Sequence, residues 1–385
     1  MLRSGSNRGV INKRTRGYFF IFILFVIVVN TMLIIGNYLN FVKVRLIMTY
    51  TFRYELVFFV FIVFVSCHIQ YIFHELGHFF LGKLLNFKFF ELAIFPFVIT
   101  KKNERLNLKF KYNDGFMGSC VMCPKTFCEF EERMLFYSSG GLVSSFLLIV
   151  IGSLIHIFSI MPNNLSMEKG LILFLVINQI NFIRDSIPTE IDGIKSDGTQ
   201  ILSLLRNSES DKKETELLNI GCKLMAGIRL RDIEFLKCEN NSIYNENYSC
   251  GLVDIFYYYY YLEVSDYEKA ICYIDFIEKN SQKYYTEFNL NLEYEFLYSY
   301  CALKKNIIRA KELYHTIAES LKHNDNIFCY RIIMAYELYI EGNVNEALHI
   351  GEIGLSVIDD FQMKGLAIFE AEQIEKMIKE IECKI

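Results

Sequence analysis

Long apolar runs alternate with short polar ones over the first half of the chain. Gly17 to about Phe41, Leu56 to Leu85, Leu135 to Ile160 and Gly170 to about Ile183 each carry few charged residues. A helix rises about 1.5 Å per residue, so about twenty apolar residues cross the hydrocarbon core of a bilayer. The pattern therefore predicts four membrane-spanning helices. The first run is longer than the apolar region of a typical signal peptide and lacks a small-x-small cleavage site, so it is read as a retained helix. Arg3, Arg8, Lys13, Arg14 and Arg16 precede it with no acidic residue among them, which places the N-terminus in the cytoplasm. Four crossings return the chain to the same side.

Between the second and third runs the period changes from that of a helix to that of a strand. Leu106, Leu108, Phe110 and Tyr112 alternate with Asn107, Lys109 and Lys111. Asn113, Asp114 and Gly115 then offer turn chemistry, and Phe116 to Met122 is expected to return as the paired strand. This predicts a β-hairpin on the cytoplasmic membrane face. Its open edge either accepts an extended peptide by strand addition or is simply covered.

Beyond Leu204 no further run is long enough to span, and helical periodicity takes over. The polar stretch Glu239 to Ser249 reads as a linker. Ser265 and Glu268 form a capping box ahead of Ala270. Three similar segments, beginning at Tyr267, Ile307 and Val344, lie 40 and 37 residues apart and end in Ala270, Ala310 and Ala347. Each follows an aromatic-rich helix. The spacing fits tetratricopeptide-like helical hairpins, which build concave peptide-binding surfaces, and equally a plain bundle with a tyrosine-filled core. The expected fold class is mainly α: a polytopic membrane helix bundle of about four spans with a cytoplasmic β-hairpin, then an all-α helical-hairpin domain. The expected divisions are 1–54, 55–205 and 206–385.

Composition sharpens this division. Hydrophobic residues make up 52% of the chain, which favours membrane segments over a soluble globule. The net charge of -4 hides an asymmetry, since residues 1–200 carry +7 and residues 201–385 carry −11. An acidic second half is a poor partner for nucleic acid. The 11 cysteines are odd in number and irregularly spaced, which fits reduced thiols on the cytoplasmic side. Cys120, Cys123 and Cys128 cluster, but a structural zinc site there lacks a fourth local ligand.

The chemistry is concentrated in one apolar run. His74, Glu75 and His78 form a His-Glu-x-x-His motif, and on a helix its two imidazoles share one face and can grip one metal ion. Glu75, one step round, can serve as general base toward a water on that metal. Ionisable groups at membrane depth cost on the order of 2.5–3.5 kcal/mol each, so three together point to a function. The bland reading is a polar cluster that pairs helices and holds no metal. A catalytic zinc takes three protein ligands and leaves one position open. Candidates for the third are Asp192 and Asp197, each followed by a glycine that permits a tight turn bringing the carboxylate back to the site, with Glu190 weaker. His156 has no second ligand at helical spacing and reads as a packing histidine.

Residues 55 to about 205 resemble the site-2 protease family of intramembrane zinc metalloproteases. The resemblance is carried by His74-Glu75-Leu-Gly-His78, by Ser139-Gly140-Gly141-Leu-Val-Ser144, and by Asp197-Gly198-Thr-Gln-Ile-Leu. It implies Zn2+ on His74, His78 and Asp197, with Glu75 as general base. The implied reaction is peptide-bond hydrolysis in a membrane-embedded or membrane-associated protein or peptide near the cytoplasmic face. Asp197 matches the family's last motif better than Asp192, because Ile201 and Leu202 follow at the right distance. The middle motif departs from the family's Gly-Pro-x-x-Asn, with Gly141 for proline and Ser144 for asparagine. The expected setting is a multi-pass protein of a bacterial cell membrane, both termini cytoplasmic. Two rival expectations stand beside this one. One is a different membrane zincin with a helix-borne glutamate as third ligand and a soluble substrate. The other is a non-enzymatic membrane receptor or scaffold whose C-terminal helical domain binds a peptide or protein partner.

Overall fold

The computed structural model describes residues 52–102, 105–110, 118–158, 165–191, 194–206, 208–234, 251–280 and 292–383. The chain divides into two compact units, Met1–Asp211 and Lys212–Ile385. Both are mainly helical, and the first also holds a small antiparallel sheet. The expected first spanning helix, Gly17 to about Phe41, lies outside the described residues.

The first unit is built on helix α1 (Phe52–Leu84). It stops where Asn86 adopts φ 60, a left-handed conformation that asparagine tolerates at a helix end. Only two residues separate it from the sheet, which comprises β1 (Phe87–Ile94), β2 (Phe97–Lys102), β3 (Arg105–Phe110) and β4 (Gly118–Pro124). The strand order is β3-β2-β1-β4, all antiparallel. This corrects the expected hairpin. The strand after Arg105 pairs with β2, and the strand ending at Pro124 pairs with β1, so the two lie at opposite edges and do not pair. The hairpin that does form joins β1 to β2 through Phe95 and Pro96. Alternation in β1 is brief: Phe87 and Phe89 are buried on either side of exposed Lys88, and a register shift between Phe89 and Glu91 in the pairing with β4 then breaks the period. The expected turn at Asn113 to Gly115 lies outside the described residues.

Helices α2 (Phe130–Ser138), α3 (Gly140–Phe158) and α4 (Leu165–Ser186) follow. Among the described residues, two stretches are long and apolar enough to cross a membrane, Val57–Leu84 and Phe130–Phe158. Helix α4 carries buried Asn178, Gln179 and Asn181 and does not join them. Helices α1, α3 and α4 pack on one another. The α1–α3 contact is close because Gly77 meets Gly140 backbone to backbone, and a Cβ on either would overlap the other's carbonyl. A short hairpin, β5 (Glu190–Ile191) with β6 (Ile194–Lys195), leads into α5 (Asp197–Leu205), which α6 (Glu209–Met225) follows.

The second unit is a stack of helical hairpins. Helices α7 (Gly251–Glu263) and α8 (Tyr267–Lys279) form the first pair. Then come α9 (Leu292–Tyr298) with α10 (Ile307–His323), and α11 (Ile327–Tyr336) with α12 (Val344–Ser356). Helix α13 (Lys364–Glu382) packs against the last pair. The three segments that look alike in sequence open α8, α10 and α12, and Ala270, Ala310 and Ala347 are fully buried. The cap of α8 is Asp266, whose side chain accepts from the Lys269 N–H at 3.3 Å. Ser265 sits instead at φ 63, one residue too early to cap, which corrects the expected capping box.

At the heart of this unit Arg331 is fully buried between Glu295 and Glu370. Tyr258 and Tyr259 donate to Glu295 at 3.0 and 2.9 Å, and the guanidinium lies 4.0 Å from the centre of the Tyr298 ring. Removing the cation leaves two buried carboxylates uncompensated, so Arg331→Met is expected to cost about 3–5 kcal/mol of stability, read as a lower unfolding midpoint. Burial, opposed by Arg331 and reinforced by Glu295, pushes the Glu370 carboxyl up to about 7. A carboxyl raised in the fold holds its proton more tightly there than in the unfolded chain. Its contribution is therefore greatest in acid and is lost as pH rises from the ordinary carboxylate range through about 7. Glu370→Gln is expected to flatten that part of the stability–pH profile, measured by thermal unfolding against the wild type.

Candidate metal centre

The site forms where α1 passes the start of α3. His74 and His78 lie one helical turn apart on α1 and both are buried. Nothing larger than glycine fits opposite them, because a Cβ on Gly141 would run into His74 Nε2 and into His78 Nε2 at 2.5 Å. Ser144 donates to the Phe73 carbonyl at 2.7 Å and ties the two helices together one turn away.

Asp197 reaches the pair from α5. Ser196 caps that helix by accepting from the Thr199 N–H at 3.2 Å, and it donates to the Ile187 carbonyl at 2.8 Å. Thr199 donates in turn to the Thr189 carbonyl at 2.8 Å. The glycine after Asp197 lets α5 abut the end of α4, since a Cβ on Gly198 would overlap the Ser186 carbonyl. Close approach is thus what Gly198 supplies. A tight turn, the reason expected from Asp-Gly spacing, is not involved.

These contacts bring three ligand atoms together. Asp197 Oδ2 lies 3.1 Å from His74 Nε2 and 3.2 Å from His78 Nε2, and the two nitrogens are 3.3 Å apart. Three ligands about 2.0–2.1 Å from a tetrahedral zinc ion stand about 3.3 Å from one another. The triangle therefore fits such an ion. Asp197 Oδ2 is buried and accepts no hydrogen bond although both nitrogens are near it, as suits an atom directed at a cation. Burial alone would raise the Asp197 carboxyl; the charges of His78 and then His74 hold it well below the ordinary carboxylate range.

The outer nitrogens are occupied. His78 Nδ1 lies 3.0 Å from the Tyr137 carbonyl. His74 Nδ1 lies 3.2 Å from Ser145 Oγ, which also accepts from Gln70 Nε2 at 2.9 Å. Asp185 Oδ2 stands 3.8 Å from the same nitrogen. Gln70, Ser145 and Asp185 carry no motif and were not legible as site residues. The one signal in the sequence is that Gln70 precedes His74 by four, on the same helix face. Glu75 is buried beside the triangle, and its carboxylate lies against Gly118 at the start of β4, where a Cβ would meet it at 2.8 Å.

The other candidates fall elsewhere. Glu190 is exposed and 3.9 Å from Lys195, and Asp192 lies outside the described residues. His156 and the cysteines Cys120, Cys123 and Cys128 do not join a ligand cluster; among the described residues, His74, His78 and Asp197 form the one such group. Asp197→Ala is expected to abolish stoichiometric metal in the purified protein while Glu190→Ala retains it, as measured by elemental analysis. No family model matches the chain, and neither a curated protein nor a solved structure matches it.

Proposed function

We propose that the chain is an intramembrane zinc metalloprotease of site-2 protease type that hydrolyses peptide bonds of a membrane-embedded or membrane-associated substrate near the cytoplasmic face. The observation that carries this is the convergence of His74, His78 and Asp197 on one point, with the Glu75 carboxylate beside them on the same helix. Zinc held there would supply Lewis acidity and a nucleophilic water near neutral pH. Glu75 takes the water's proton at its carboxylate and passes it to the leaving amine. Gly141 lets the start of α3 approach both Nε2 atoms without a side chain intruding between them.

A helical substrate hides its peptide bonds in internal hydrogen bonds, so it must arrive extended. Strand β4 is an edge of the sheet and begins at Gly118, against Glu75. A segment added along that edge would pass the general base, and its backbone would be satisfied by the strand.

The membrane setting rests on surface chemistry. In the two long apolar stretches, 17% and 28% of the apolar window is buried, whereas a core helix would be mostly covered. Phe61, Phe64, Leu147 and Ile151 are among the exposed side chains. We infer four crossings with both termini cytoplasmic by adding α4, which packs on both stretches, and the apolar run that the sequence holds from Gly17. The sheet continues the pattern. Phe97, Ile99, Leu108 and Phe110 share one face with Leu92, while Asn107, Lys109 and Arg105 occupy the other. The stack of helical hairpins is of tetratricopeptide-like type and offers a surface for a peptide or protein partner.

Glu75→Gln is expected to keep zinc bound and to lower cleavage of a co-expressed membrane peptide by at least about 100-fold, the lower range for a lost general base. Turnover retained in that variant rules out the assignment, and a purified protein without stoichiometric zinc favours the receptor or scaffold. The chain holds no tryptophan, so Leu108→Trp and Asn107→Trp are lone reporters on opposite sheet faces. In lipid nanodiscs Leu108→Trp is expected to emit to the blue and to be quenched by brominated lipid, and Asn107→Trp to do neither.

A further inference from the structure

The two histidines of the site are held differently, and that difference assigns a role to residues outside the motif. In both rings Nε2 faces Asp197, so each Nδ1 is the outward nitrogen. For a ring that gives its Nε2 lone pair to a metal, Nδ1 carries the proton and needs an acceptor. His78 meets a neutral backbone carbonyl, that of Tyr137. His74 meets side chains from two other helices, Ser145 of α3 and Asp185 of α4.

We propose that Ser145 and Asp185 are positioning residues for His74, holding its imidazole as the Nδ1-protonated tautomer with Nε2 directed at the metal. This rests on the metal-site reading above. The hydrogen-bond inventory around Ser145 supports it. An amide nitrogen can only donate, so Gln70 Nε2, 2.9 Å from Ser145 Oγ, uses one of the hydroxyl's lone pairs. The other lone pair is available to the His74 Nδ1 proton at 3.2 Å. Gln70 and His74 are four residues apart on α1, so one hydroxyl receives both from the same helix face.

Asp185 adds the charge. Its Oδ1 is held by Arg184 through Nε at 3.0 Å and Nη2 at 2.9 Å, which leaves Oδ2 toward His74 Nδ1 at 3.8 Å. That separation is too long for a hydrogen bond, so the carboxylate acts by its field at a poorly solvated position. A negative charge at the Nδ1 edge favours the proton there and strengthens Nε2 as a donor to a cation. Arg184 also reaches Tyr71 Oη at 3.2 Å, so the line from Tyr71 through Arg184 and Asp185 to His74 leaves α1 and returns to it. The last turn of α4 thereby sets the orientation of a ligand on α1.

The test is zinc affinity by chelator competition on the full-length detergent-solubilised protein, with wild type, Asp185→Asn, Ser145→Ala, Arg184→Gln and Asp197→Ala compared. Asp185→Asn is expected to weaken zinc by about 10–100-fold, Ser145→Ala by about tenfold, and Arg184→Gln by less than about threefold. The Co2+-loaded Asp185→Asn protein is expected to show shifted visible d–d bands at an unchanged unfolding temperature, which a merely structural residue would not produce. Wild-type zinc affinity in Asp185→Asn overturns the proposal. So does equal weakening by Asp185→Asn and Arg184→Gln, which would make the ion pair a helix anchor alone. No zinc in the wild type, or undiminished zinc in Asp197→Ala, overturns the metal site itself.

Discussion

The first unit depends on one close contact between helices. Gly77 and Gly140 bring α1 and α3 together at backbone distance, and Gly141 extends the contact to the two imidazoles. Between apolar helices in a lipid-like setting, burial of side chains offers little preference for one partner over another, so small residues that allow tight packing set the pairing. Here they also set the candidate site, since His74 and His78 face that helix–helix interface. A side chain at any of the three positions would separate the helices or fill the space beside the nitrogens.

A second close contact completes the site from a distant part of the chain. Gly198 against the Ser186 carbonyl locks α5 to the end of α4, and Ser196 and Thr199 stitch the intervening loop. Asp197 and Asp185 thereby approach His74 from opposite sides of its ring, one at Nε2 and one at Nδ1. Two histidines and three carboxylates, Glu75 among them, in a small, largely buried volume are costly unless a cation or hydrogen bonds compensate them. Hydrogen bonds offset part of that cost: the Tyr137 carbonyl faces His78 Nδ1, and the Ser145 hydroxyl beside His74 Nδ1 accepts from Gln70.

The second unit solves a different problem with the same physics. Its core is rich in tyrosine, whose hydroxyls need partners when buried. Glu295 takes two of them, and Arg331 balances Glu295 and Glu370 at the centre. The stack is thus held by a charged hub as well as by apolar packing, and the hub spans α7, α9, α11 and α13.

What the chain determined by itself is local. The His-Glu-x-x-His spacing, the apolar runs and the buried alanines near the starts of α8, α10 and α12 follow from helical period alone, and all were legible. The choice among Asp192, Asp197 and Glu190 was open from the residues alone, and the resemblance favoured Asp197; the distances that bring Asp197 to the histidines turn on how α5 meets α4, more than 100 residues after the motif. Strand partners were misread for the same reason: alternation identifies a strand such as Leu106 to Phe110, but pairing depends on which neighbour the turn at Phe95 and Pro96 delivers. Ser145 and Asp185 were silent and Gln70 carried only its spacing from His74, since a single polar residue in an apolar helix gains meaning from what it faces. Sequence period decides which face of a helix a residue occupies. Only tertiary packing decides which atoms stand opposite that face, and the distances that make a metal site are set there.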